Sequence, residues 1–380
     1  IAAGSSVTSG SGADALTLST NLGSTYTSGA GADTITGALT SIVNTGVTDH
    51  VIDAGAGIDT LAISTVGASV VTDNHFTNIS NMEKMTMAAT ASSSITTGGA
   101  FNSAFADSVE ITTATFADVA TFVYSGGLYG KDTTLTTVSA GVGNAATEDI
   151  TITTGAGSDT VSLTASSWVG AAGATASIVV GTRAGDDTIT VATGALVANT
   201  TSQAVTITAG TGADTITVSG ANGAGATAFN LFVMADGDSL VASHDKITGF
   251  ALGGATAGDY ADVLDFDTSA IGTLSTTVDF GTIMSHSITT GVVTFDDVAT
   301  HTTALIINSG NLADVLGYIE TNANANGVYA FLYDSTGSGA ADATMVFHND
   351  TLNSLVELVG VTTATTVGTT AVTGAMIGIA

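Results

Sequence analysis

The feature that most constrains the fold is a short glycine turn that recurs along the chain. An aspartate and then a large aliphatic residue (U) follow it, in the pattern G-x-G-x-D-x-U. Full copies lie at Gly10–Leu16, Gly29–Ile35, Gly55–Leu61, Gly155–Val161 and Gly210–Ile216, and a variant at Arg183–Ile189 begins with arginine. Alternating apolar and hydroxyl residues follow the turns, which is the period-2 pattern of a half-buried strand. The repeated unit of turn and strand predicts a β-solenoid, with roughly one turn in each coil of about 20–28 residues.

The turns offer an oxygen-rich set of ligands. Glycine adopts backbone conformations with φ > 0 at little cost, so the turn is tight and its carbonyls can point inward. The aspartate adds a carboxylate beside those carbonyls. Such an all-oxygen cluster suits a hard cation with about six to eight ligands, and Ca²⁺ is the first candidate.

These turns resemble those of the RTX calcium-binding repeat proteins, whose signature is G-G-x-G-x-D-x-U-x. Most copies here lack the leading double glycine, and the aspartates at 14, 33, 59, 159, 187 and 214 are separated by 19, 26, 100, 28 and 27 residues. The resemblance implies an all-β, right-handed parallel β-solenoid or β-roll with Ca²⁺ between neighbouring turns. The metal-binding set that we predict is Gly10, Gly12, Asp14, Gly29, Gly31, Asp33, Gly55, Gly57, Asp59, Gly155, Gly157, Asp159, Gly185, Asp187, Gly210, Gly212, Asp214, Asp236, Asp238 and Asp245.

The net charge of the chain argues against some classes of binding partner. The chain has 33 acidic and 4 basic residues and a formal net charge of -29. Nucleic acids and anionic membranes attract basic surfaces, so neither is an expected partner. Each bound divalent ion removes two negative charges, so we expect folding and ion binding to be linked. The sequence contains no cysteine and no apolar run near the ~18 residues of a membrane helix. No signal peptide is visible at Ile1, and we expect that processing or truncation has removed a preceding region.

The chain is expected to have three parts. Residues 1–149 hold three turns and an insert without the motif, in which Phe76–Glu83 resembles stretches between RTX turns where the solenoid continues without metal. Residues 150–267 hold the second three turns and a cap at 228–267, whose D-x-L-D-F ending resembles the segment that closes the β-roll in type I-secreted proteins. Aromatic side chains there would cover the open end of the solenoid.

The third part, residues 268–380, is expected to be a small α+β module. The spacing of apolar residues predicts a helix over Asn311–Ile319 with Asn311 as N-cap. Val328–Asp334 and Ala343–His348 are predicted to form a hairpin. The module resembles the C-terminal part of type I-secreted surface-layer proteins, and this resemblance implies an export signal near its end.

Catalytic patterns are absent from the sequence. There is no H-E-x-x-H and no G-x-S-x-G, and Gly126–Asp132 has the wrong spacing for a phosphate-binding loop. The six histidines are scattered at 50, 75, 244, 286, 301 and 348. We therefore expect a protein that is not an enzyme.

The sequence thus favours a secreted structural protein of a bacterial surface layer that folds and assembles into a two-dimensional lattice by binding Ca²⁺. An anchor to a cell-surface polysaccharide is expected to lie in a preceding N-terminal region. Two alternatives stay open. One is a calcium-dependent adhesin, and the other is the C-terminal part of a secreted hydrolase.

Overall fold

The computed structural model describes residues 2–42, 49–117, 120–140, 149–166, 177–193, 203–220, 228–253, 262–266, 270–369 and 376–379. Residues 254–261 and 267 of the predicted cap lie outside these ranges. The chain divides into two compact units, Ile1–Val197 and Ala198–Ala380.

The first unit is built of short strands. They are β1 (Ser6–Thr8), β2 (Ala15–Thr17), β3 (Thr25–Thr27), β4 (Thr34–Gly37), β5 (Val51–Asp53), β6 (Thr60–Ile63), β7 (Val70–Val71), β8 (Ile79–Ser80), β9 (Lys84–Met87), β10 (Ser93–Thr96), β11 (Ser108–Phe116), β12 (Phe122–Ser125), β13 (Asp132–Ser139), β14 (Asp149–Thr153), β15 (Thr160–Ala165), β16 (Ser177–Gly181) and β17 (Thr188–Thr193). Short helical segments are α1 (Leu39–Ile42), a 3-10 helix (Asp73–Phe76) and α2 (Gly99–Ala104).

All the described pairings in this unit are parallel. One sheet has the order β2-β4-β6-β9-β11-β13-β15-β17. The opposite side consists of β1-β3-β5-β8 and of β7-β10-β12-β14-β16. The chain therefore passes from one side to the other and back in each coil, and the stretch without the motif continues the stack through β7 to β13.

The aliphatic residues of the motifs after the first lie in the core of the first unit. Leu61 lies in register between Ile35 on β4 and Met85 on β9, and all three side chains are fully buried. Each such side chain contributes about 1.5–3 kcal/mol by leaving water. The same column continues through Ile111 and Leu135. The motif therefore fixes the register of successive coils.

The second unit contains one longer helix, α3 (Leu312–Asn322). Its strands are β18 (Gln203–Thr208), β19 (Thr215–Ser219), β20 (Ala228–Val233), β21 (Asp245–Thr248), β22 (Val263–Asp265), β23 (Ser285–Thr289), β24 (Val292–Asp296), β25 (Gly327–Tyr333), β26 (Ala343–Asn349), β27 (Ser354–Val359), β28 (Val367–Thr369) and β29 (Met376–Ile379).

Parallel coils continue in this unit and then meet antiparallel strands. β19 pairs with β21, and β18, β20 and β22 pair in sequence, all in parallel. The segment predicted as a cap thus supplies β20, β21 and β22 to the coils. The next neighbour of β21 is β27, in parallel, and that of β22 is β29, antiparallel. From β27 the sheet continues antiparallel through β26 to β25. β24 then pairs with β25 in parallel and with β23 antiparallel.

The predicted hairpin and helix of the C-terminal part are both present. β25 and β26 form the hairpin, and α3 buries Val315, Leu316 and Ile319 against the apolar cluster of that sheet. The predicted N-cap position of Asn311 is confirmed, but its side chain makes no capping hydrogen bond to the helix. Its Oδ1 instead accepts the N–H of Asn308 at 2.8 Å.

The predicted all-β fold and its parallel β-solenoid architecture are confirmed. Helices are few and short, and strands stack coil on coil with matched registers. Within the described parts of the chain, no helix has the length and apolar character that crossing a membrane requires.

Candidate metal centre

The turn at Gly55 and Gly57 has no room for a side chain at either glycine position. Gly55 and Gly57 have φ values of 88° and 152°, which side chains resist. A Cβ on Gly55 would lie 1.9 Å from the carbonyl oxygen of Gly29, and one on Gly57 would lie 1.7 Å from that of Gly31. The glycines of the motif therefore allow each turn to lie directly on the turn before it.

The stacked turns also bond to one another through their backbones. Ala30 N–H donates to the Gly10 carbonyl at 3.0 Å, and Ala56 N–H donates to the Gly29 carbonyl at 2.8 Å. In return, the N–H of Gly31 donates to the Ala56 carbonyl at 2.9 Å. Two of the carbonyls predicted as ligands thus each accept an inter-coil hydrogen bond, and each retains a second lone pair.

The other turns follow the same plan with local differences. Gly185, Gly210 and Gly212 have positive φ, whereas Gly155 and Gly157 do not. The corner at Gly155 is still closed, because an added Cβ would lie 1.5 Å from the Tyr129 carbonyl oxygen. At Gly10 and Gly12 the space is open, with no described atom within 4 Å of an added Cβ. Arg183 takes the conformation of the glycine that it replaces, with φ of 73°, and its Nη1 donates to the Gly127 carbonyl oxygen at 3.4 Å.

The motif aspartates form a ladder along the corner of the first unit. Asp33 Oδ1 accepts the N–H of Asp14 at 2.8 Å, and Asp59 Oδ1 accepts the N–H of Asp33 at 2.7 Å. Asp59 N–H then donates to Glu83 Oε2 at 2.7 Å. Each carboxylate thus receives the backbone N–H of the motif aspartate one coil earlier, and Glu83 continues the ladder into the stretch without glycine turns.

The ladder resumes at the second group of turns. Asp159 Oδ1 accepts the N–H of Thr133 at 2.6 Å, and Asp187 Oδ1 accepts the N–H of Asp159 at 2.7 Å. In addition, Asp132 Oδ1 accepts the N–H of Ser158 at 2.9 Å. Asp132 and Glu83 are corner acids that the motif did not identify.

The second unit contains a further step of the same kind. Asp245 Oδ1 accepts the N–H of Asp214 at 3.0 Å, and Asp245 N–H donates to Ser239 Oγ at 2.7 Å. Asp238 belongs to the adjoining turn, where its Oδ2 accepts the N–H of Ala235 at 3.0 Å. Asp236 is placed differently, because its carboxylate is grouped with the side chains of His348 and Asp350.

One carboxylate oxygen of several ladder aspartates is buried without a hydrogen bond. Asp33, Asp59, Asp159 and Asp245 are each at most 1% exposed, and their Oδ2 atoms have no hydrogen-bond partner among the described residues. An unpaired buried carboxylate oxygen is costly unless a proton or a cation neutralises it. These four atoms are free to act as ligands of a hard cation.

Burial makes three of these acids harder to ionise in the metal-free protein. Loss of hydration raises the pKa of Asp59 and of Asp159, although backbone N–H donors oppose the shift. The pKa of Asp245 is raised to about 8, chiefly by burial, with the charges of Asp214 and Asp238 adding to the shift. The ladder therefore favours either protons or cations on its carboxylates.

Most of the predicted aspartates are thus brought to equivalent corner positions, coil after coil, and Asp236 is not. The donor set is one buried carboxylate oxygen per step together with turn carbonyls, which fits the all-oxygen preference of Ca²⁺. Comparisons with protein-family profiles, with curated proteins and with solved structures gave no significant match.

Proposed function

We propose that this chain is a calcium-dependent structural protein of the RTX type, secreted to a bacterial cell surface, where copies assemble into a surface layer. The observation that carries the proposal is the row of buried Oδ2 atoms on Asp33, Asp59, Asp159 and Asp245. Carboxylates in this state need positive charge, and the chain has only 4 Lys and Arg residues against 33 acids. A dissolved cation is the available source.

Calcium would be held at the corner by the ladder carboxylates. Asp14, Asp33 and Asp59 would act in the first group, Asp159 and Asp187 in the second, and Asp214 and Asp245 in the second unit. Bound Ca²⁺ supplies two positive charges and favours oxygen ligands. The inter-coil N–H···Oδ1 bonds already hold each carboxylate in place. The side chains therefore lose little further freedom when the ion binds.

Binding that occurs only in the folded state stabilises that state by mass action. The solenoid would therefore fold fully only where calcium is abundant, as it is outside cells. Neutralisation of the acidic surfaces by further ions would then reduce the repulsion between copies whose formal charge is -29. These two steps together support a structural role that begins after secretion.

The test is a calcium titration of the full chain at pH 8 after treatment with chelator. Circular dichroism reports folding and negative-stain electron microscopy reports sheets, with Mg²⁺ as the control ion. We expect β structure and regular sheets to appear with Ca²⁺ alone. If β structure appears without sheets, the folding step stands and the lattice step is wrong. A chain that is fully folded in chelator and indifferent to Ca²⁺ contradicts both steps.

A charge-matched pair of variants tests the ladder itself. Asp33→Asn with Asp59→Asn removes two ladder carboxylates, whereas Asp279→Asn with Asp297→Asn removes two exposed ones. We expect the ladder variant to need at least about tenfold more Ca²⁺ for half-maximal folding, since even the loss of a residue that orients a metal ligand costs about 10–100-fold. The exposed pair should fold at the wild-type concentration. Equal shifts in the two variants would mean that net charge alone governs the response.

A further inference from the structure

A mixed group of potential metal ligands lies apart from the aspartate ladder in the second unit. Asp236 is exposed in the turn after β20, His348 lies near the end of β26, and Asp350 follows that strand. One ligand atom from each residue lies within 4.8 Å of the other two. Two ligands on one zinc ion, with bonds of about 2.0–2.2 Å, are about 3–3.5 Å apart. The three groups are thus within about 1.5 Å of a coordinating arrangement.

Neighbouring side chains orient Asp350. Its Oδ1 accepts hydrogen bonds from the Asn326 side-chain amide and, at 2.6 Å, from the N–H of Thr351. Its own N–H donates to Asn353 Oδ1 at 3.0 Å. These contacts direct the other oxygen, Oδ2, towards His348 Nε2 at 3.8 Å. That separation is too long for a hydrogen bond and is close to the spacing of two ligands on one ion.

Packing fixes the ring of His348. The residue is 1% exposed and lies in the middle strand of three, in register with Val328 on β25 and Ser354 on β27. Its ring lies 5.5 Å from the ring of Phe266, centroid to centroid. A histidine held by strand pairing and an aromatic neighbour loses little side-chain freedom when it binds a metal.

We propose that Asp236, His348 and Asp350 form a site for a divalent transition metal such as Zn²⁺, distinct from the calcium ladder. An imidazole nitrogen with two carboxylates suits zinc or a neighbouring metal, whereas Ca²⁺ takes oxygen ligands. Asp350 is oriented by its own hydrogen bonds, as ligating carboxylates usually are. Exposed Asp236 gives the ion access from solvent and leaves room for water as a fourth ligand. A bound ion would link the turn after β20 to the end of β26.

Metal binding to the full, calcium-saturated chain tests the proposal. Zn²⁺ is titrated by calorimetry, and Co²⁺ is used as a probe because its visible absorption reports nitrogen and oxygen ligands. We expect one Zn²⁺ per chain with affinity in the micromolar range or tighter, and a cobalt spectrum that Zn²⁺ abolishes. Wild-type protein that binds neither ion in saturating Ca²⁺ overturns the proposal.

Three variants test which residues bind the metal. Asp236→Asn changes an exposed residue and should leave folding intact while weakening Zn²⁺ binding at least tenfold. His348→Gln should remove the cobalt spectrum, and His301→Gln is the control, since His301 is partly exposed and contacts Thr294 Oγ1 at 3.1 Å. If His348→Gln fails to fold, Asp236→Asn still decides the matter. Zinc binding that is unchanged in Asp236→Asn, or lost equally in His301→Gln, would refute the assignment. Because Ca²⁺ saturates every sample, the result does not depend on the calcium proposal.

Discussion

At the scale of single residues, the aspartate and the aliphatic residue of each motif act as a pair. Two positions apart in extended backbone, they point to the same face. Ile35 is fully buried, and Asp33 is only 1% exposed beside it. The sequence spacing thus turns a carboxylate inward at the corner, where its oxygen needs a positive partner. The motif predicts this burial. It does not predict the N–H group that donates to the carboxylate, which lies 19–31 residues away in the sequence.

The turn glycines give a prediction at this scale. Gly57→Ala should lower the free energy of unfolding by at least about 2 kcal/mol, because the new Cβ meets the Gly31 carbonyl and φ is 152°. The denaturant midpoint in saturating Ca²⁺ measures the loss. Gly12→Ala is the matched control, since it changes the same motif position where no described atom lies within 4 Å. Similar losses in both variants would show that stacking of the turns is not the cause.

At the scale of the secondary-structure elements, strands were easier to predict from the sequence than corners. Alternation located β4, β6 and β15 because nearly all their inward residues are aliphatic. The ladder position of Glu83 was missed because Asn81-Met82-Glu83 contains no glycine turn. Asn81 itself takes φ of 58°, so asparagine replaces glycine at this corner, and the longer glutamate still reaches Asp59 N–H. Single-sequence motifs do not reveal such substitutions of one residue type for another.

The ladder gives a pH prediction for calcium-free protein. Because burial raises the pKa of Asp245 to about 8 in the folded state, the associated stability is present at acid pH and is lost as the pH rises towards 8. Wild-type protein in chelator should be most stable near pH 5 and should lose up to about 4 kcal/mol from this group by pH 8, because each pH unit over which only the folded state holds the proton costs about 1.4 kcal/mol. Asp245→Asn should lack this part of the dependence.

Urea denaturation at several pH values measures the effect, and Asp297→Asn serves as an exposed control that keeps the wild-type dependence. An Asp245→Asn variant with the full wild-type slope would show that another group titrates in this range. The opposite slope in wild-type protein would contradict the direction of the shift.

At the scale of the whole molecule, each coil of the first unit makes nearly the same contacts as the next. Thr34 lies in register with Thr60, so residues 34–59 amount to one coil of the sheet. Their removal joins Asp33 directly to Thr60 and leaves β6 in the place of β4. We expect this shortened chain to retain its β structure and its calcium response, with modestly lower stability.

A deletion of residues 34–58 is the control for this experiment. It leaves one extra residue between turn and strand, and a shift by one residue moves side chains to the opposite face. That variant should be destabilised by several kcal/mol more than the whole-coil deletion, as measured by circular dichroism and denaturant midpoint. Equal stability of the two deletions would mean that register at the corner is not decisive.

The closed corner at Gly55 and Gly57 also bears on how such a chain can evolve. A turn with no room for a side chain accepts a duplicate of itself above or below, but it rejects most single substitutions. Gene duplications and losses that span a whole coil preserve every contact, whereas those of fractional length disrupt the register. Proteins descended from this chain should therefore differ in length by whole coils, and their sequences should diverge most rapidly away from the corner.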